Sequence, residues 1–166
     1  MRRYLLPLAL LAALVAPTVA SAQQLVTLVP SRVSGITAVT TTVATFTLPP
    51  SVTPTLQVLL NITAGGTATG SMTIFIEDSV DGGTTWNDVI SSNAFALGAA
   101  VITQHFYLNG HIASTATSGA VDAVETLAAG TTRQGPFAQL MRVREKITGP
   151  AGSPVGATYT ITAVLR

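Results

Sequence analysis

The side chains with the most chemical potential lie close together in the chain. Glu77, Asp78, Asp81 and Asp88 put four of the seven carboxylates into twelve residues. Oxygen-rich clusters of this kind can hold Ca²⁺, with Asp78 and Asp81 as the leading ligands. Their spacing does not follow an EF-hand loop, whose ligands alternate and close on a bidentate Glu. A solvated acidic turn is the alternative. His105 and His111 flank Asn109-Gly110 and could face each other across a hairpin. Two imidazoles make half a zinc site, and the sequence marks no third ligand. There is no Cys, which removes thiol nucleophiles and thiolate metal sites. Neither a G-x-S-x-G elbow nor a phosphate-cradling Gly loop occurs. The sequence therefore assigns no catalytic residue and no cofactor. Arg142, Arg144 and Lys146 alternate along one segment and make a cationic strand face. That face is either solvated or docks the acidic turn of another subunit.

Composition narrows the class further. Charged residues are 9% of the chain, against about 25% in an average soluble protein. Threonine occurs 26 times and apolar residues make up 48%. With 8 basic and 7 acidic residues no basic patch is large enough to drive nucleic-acid binding. The apolar, β-branched content argues against disorder.

Residues 1–22 read as a secretory leader. Arg2 and Arg3 precede an apolar run from Tyr4 to Val19, and Ala20-Ser21-Ala22 forms a small-x-small cleavage site. Loss of Arg2 and Arg3 with this leader takes the formal charge from +1 to −1. The expected location is exported: periplasmic, extracellular or at the cell surface. Membrane contact is expected only through the leader.

The elements that position the candidate residues are strands. Leu56, Val58, Leu60 and Ile62 alternate with polar neighbours, as do Met72, Ile74 and Ile76. Phe106 and Leu108 alternate with His105 and Tyr107. Met141, Val143 and Ile147 alternate with Arg142, Arg144 and Lys146, which places the Arg side in water. Tyr159, Ile161, Ala163 and Leu165 alternate with Thr158, Thr160 and Thr162. Asp81-Gly82-Gly83, Asn109-Gly110 and the 149–154 Gly/Pro segment supply turns. Residues 120–129 are the one stretch that allows a short helix or a loose loop. About eight strands imply an all-β, antiparallel sandwich or jelly-roll-like domain over residues 55–166. Residues 23–54 read as an extended N-terminal strand or arm.

Two resemblances add to this reading. Ser79-Val80-Asp81-Gly82-Gly83-Thr84-Thr85-Trp86 fits S-x-D-x-G-x-T-W and resembles the Asp-box of sialidase-like propellers. The resemblance implies a structural turn built on Ser79, Asp81, Gly83 and Trp86, away from any active site. The second covers residues 54–166, with an unmatched middle. The strand from Pro54 to Thr63, then Asp78-Ser79-Val80-Asp81-Gly82-Gly83-Thr84-Thr85-Trp86, then Leu140-Met141-Arg142-Val143-Arg144 and a Thr-rich last strand occur in this order. That order is similar to small β-sandwich structural proteins of tailed bacteriophages, which serve in capsid decoration or as tail-associated parts. It implies a non-enzymatic virion component, a homo-oligomer whose partners are copies of itself or other virion or cell-surface proteins. The alternative expectation is a secreted or cell-surface module that binds carbohydrate.

Overall fold

The computed structural model describes residues 23–34, 39–48, 55–66, 70–98, 101–109, 127–133, 137–149 and 156–165. Ten strands lie in these segments, and no helix does. They are β1 (Gln24–Val33), β2 (Thr40–Thr47), β3 (Thr55–Ala64), β4 (Ser71–Ser79) and β5 (Asn87–Ser91), then β6 (Phe95–Ala96), β7 (Ile102–Asn109), β8 (Thr131–Thr132), β9 (Leu140–Thr148) and β10 (Thr158–Leu165). The expected all-β antiparallel sandwich is the observed fold. Eight of its strands have five or more residues, and the two others are two-residue pairings.

One sheet has four strands in the order β1-β10-β3-β7. The other runs β2-β9-β4-β5-β8, with β6 also on β4. Alternation decides which side chains go inside, because successive residues of a strand point to opposite faces. Leu56, Val58, Leu60 and Ile62 of β3 are buried, as are Tyr159, Ile161, Ala163 and Leu165 of β10. They meet Met72, Ile74 and Ile76 of β4 and Met141, Val143 and Ile147 of β9 in one core.

The segment read as an extended strand or arm contributes two strands to this sandwich. β1 forms the edge of the four-stranded sheet on β10, and β2 the edge of the six-stranded sheet on β9. Both edges are irregular. β1 shifts register between Thr27 and Val29 and again before Arg32, and β2 between Thr42 and Ala44. Such bulges twist an edge and discourage pairing with other chains. At the end of β1, Ser34 N donates to Ala157 O (2.8 Å), and Ala157 N donates to Ser34 Oγ (3.0 Å). Gly156 allows this approach, since a Cβ there would run into the Ser34 backbone.

Asn109 ends β7, while Gly110 of the expected turn, His111, the leader and residues 120–126 fall outside the described residues. Residues 127–133 form a turn leading into β8, with no helix. Strand β7 pairs with β3 over its whole length. Among the described residues no helix is long and apolar enough to cross a membrane.

Candidate functional site: internal charge clusters and an uncharged sheet face

The β4–β5 connection is built by its own side chains. Ser79 Oγ donates to Asp81 Oδ1 (2.8 Å) and accepts from Gly83 N (2.8 Å). Asp81 also accepts from Thr84 N (3.1 Å), Thr85 N (2.8 Å) and Thr85 Oγ1 (2.7 Å). Gly82 and Gly83 have φ of 75° and 98°, which glycine adopts without the Cβ penalty. Trp86 Nε1 donates to Gly83 O (2.9 Å) and closes the loop. The Thr85 amide, the Thr85 hydroxyl and the Ser79 hydroxyl hold the Asp81 carboxyl at a pKa of about 2. Its oxygens serve the turn.

Asp78 is engaged elsewhere. It is buried, and its Oδ2 accepts from Arg133 Nη2 (2.8 Å) and from Ala138 N (2.7 Å). Asp78 and Asp81 thus have separate hydrogen-bond partners. Among the described residues no group of three His, Asp or Glu could hold a metal ion. Asp88 is also buried and accepts from Leu127 N (3.1 Å).

Arg142 and Arg144 do not form the solvated cationic stripe expected from alternation. Glu77 lies directly opposite Arg142 on the neighbouring strand, where cross-strand side chains touch. Arg142 Nε donates to Glu77 Oε2, and Arg144 Nη1 to Glu77 Oε1 (2.7 Å). Glu77 is fully buried beneath them. The Arg142 guanidinium also lies 4.3 Å from the Trp86 ring centre, a cation–π distance. The acid and base expected to meet between subunits therefore meet within one chain. Lys146 completes the row on β9, opposite Thr73 and Thr40.

A second cluster spans the two sheets. Glu145 falls in phase with Met141, Val143 and Ile147 and points into the core, 2% exposed. Tyr159 OH donates to its Oε2 (2.8 Å) from β10. Arg32, opposite Tyr159 on β1, brings Nε to 3.8 Å from the same oxygen. Burial, and then the Glu145 carboxylate, push the Tyr159 hydroxyl above its ordinary range. Sequence reading passed over this cluster, although a carboxylate in phase with three apolar residues is a legible signal of it.

The outer face of the four-stranded sheet is the opposite case. One row across it is Leu25, Val164, Gln57 and Tyr107. The next is Thr27, Thr162, Leu59 and His105, and a third is Thr160, Asn61 and Thr103. Arg32 is the one Lys, Arg, Asp or Glu in the four strands, and it sits on the inner side with Tyr159. Leu25 is 70% exposed and Tyr107 53%. The other aromatic side chains among the described residues are at least half-buried, as expected. Thr103 Oγ1 donates to Asn61 Oδ1 (3.1 Å), which fixes one amide on this face.

No family model matches the chain, and no curated protein matches it. Among solved structures it is similar to one from infectious bursal disease virus, Gx strain. The identity is 14% and the TM-score 0.42, over 87% of this chain. The chain spans about a third of that chain's length, at 32%.

Proposed function

We propose that this protein is a non-enzymatic structural component that works by packing its β faces against other subunits. The finer reading is an exported virion component, a capsid decoration or tail-associated protein, as the resemblance of residues 54–166 to tailed-phage sandwich proteins suggests. The observation that carries the structural role is the distribution of charge. Glu77, Asp78 and Glu145 are each tied to partners inside the chain, while one whole sheet face presents no formal charge. A face of that kind suits burial against another surface, because no charge has to be stripped of water. The reading assigns no catalytic residue and no nucleic-acid partner, since a chain with 8 Lys and Arg against 7 Asp and Glu offers little phosphate neutralisation.

The test is to purify particles from a culture that makes the protein and to quantify its peptides by mass spectrometry. Many copies per particle are expected. Its absence from density-banded particles, with the protein free in the medium, would overturn the virion reading.

Exposed Tyr107 favours a second reading. Gln57 lies directly opposite it and His105 two residues along the same strand, so an exposed aromatic ring stands beside hydrogen-bonding side chains. A glycan-array signal lost in Tyr107→Ala would select this reading.

A further inference from the structure

We infer that the outer face of the four-stranded sheet is a self-association surface, whose occupant is the same face of a second copy of this chain. The inference rests on the packing role proposed above and names its partner.

The first argument is charge. A partner that brought an unpaired Lys, Arg, Asp or Glu onto this face would bury it without a counter-ion and lose its hydration uncompensated. The face has no charge with which to answer one. The outer side of the six-stranded sheet carries Arg142, Arg144 and Lys146, so it does not fit. Within this molecule the surface that matches the uncharged face is that face itself. Two copies related by a twofold axis would bring like against like, as an isologous interface requires.

The second argument is area. Four strands about 4.8 Å apart and about eight residues long at about 3.3 Å each cover roughly 500 Å². Two such faces withdraw about 1,000 Å² from water before side-chain relief is counted, which reaches the floor for a specific interface and places the dimer in the weak, concentration-dependent range. Leu25, Leu59, Val164 and Tyr107 supply apolar anchors, and the threonines supply hydroxyls that can pair across the seam. The bulged edges of β1 and β2 disfavour growth by strand addition at those two edges.

The experiment is sedimentation of the full chain over a wide concentration range, with two variants. Thr162 sits in the middle of the face, between Thr27 and Leu59. Thr162→Lys would set like charges against each other and weaken the dimer by roughly a hundredfold or more. Thr42→Lys, at an exposed position on β2, would leave the dimer unchanged. Circular dichroism checks that each variant folds, and Tyr107→Glu at the sheet edge replaces Thr162→Lys if it does not. A monomer at every concentration overturns the inference. So does a dimer insensitive to Thr162→Lys and Tyr107→Glu, or one weakened equally by Thr42→Lys. Particle association separates the two ideas: a monomer found on particles removes the dimer and keeps the structural role.

Discussion

Strands β3 and β9 both alternate cleanly between buried and half-buried positions, yet what they carry outward differs. On β3 and its neighbours the outward side chains are Thr, Gln, Asn, His105 and a few apolar groups. On β9 they are Arg142, Arg144 and Lys146, and the first two lie over a carboxylate with no exposure of its own. The outer face of the four-stranded sheet carries no Lys, Arg, Asp or Glu among the described residues, and its one such residue, Arg32, turns towards Glu145 on the inner side. The six-stranded sheet uses charge to hold its own strands together. An outward position in a strand is therefore not the same as a solvated one. Glu77 points away from the core and is still as buried as Leu56.

Glu77→Ala strikes this difference hardest. It leaves two largely buried guanidiniums without their shared carboxylate. The expected loss is about 3 kcal/mol, the low end for breaking a buried ion pair, because both Arg side chains keep some water. Chemical denaturation of the purified protein measures it, and a loss no larger than that of an ordinary surface substitution would show that the network is not cohesive.

Tyr159→Phe tests the bond between sheets. It removes the hydroxyl that donates to buried Glu145, at an expected cost of about 1–3 kcal/mol. The pH dependence has a definite sign. The Tyr159 pKa is raised above its ordinary value of 10.0. Its contribution is therefore complete below that pH and is lost as the pH rises further. Alkaline melts of the two proteins should converge as pH climbs past 10; a constant gap would count against the bond.

Asp81→Ala has the smallest effect. Its carboxyl titrates at about 2 rather than the ordinary 3.8. The stability it gives the turn is present above 3.8 and fades as the pH falls through 2. The variant should melt slightly earlier at neutral pH and match the parent in strong acid. Equal melting at both would remove the carboxylate from any role in the turn.

Much of the fold is legible in the order of residues. The period-two runs of β3, β9 and β10 announce strands and their apolar faces, and the Ser79–Trp86 motif announces the turn. Charge pairing is much less legible. Arg142 meets Glu77 across 65 residues, a consequence of register between β4 and β9 that no local pattern contains. Arg133 reaches Asp78 across 55. The N-terminal segment shows the same limit. Its pattern reads as an extended strand or arm, and only the partners β10 and β9 make residues 24–33 and 40–47 two edge strands.

What the sequence by itself determined is the all-β class, the apolar side of β3, β4, β7, β9 and β10, and the scarcity of charge. Backbone geometry makes these properties of neighbours in the chain, since alternation needs no knowledge of what lies across the sheet. Tertiary structure alone decided where the few charges went. Pairing β9 with β4 turned a cationic stripe into a clamp on Glu77, and laying β10 between β1 and β3 gathered the uncharged side chains into one face. Both outcomes depend on which strands become neighbours. That choice belongs to the packing of the whole core and not to any single segment.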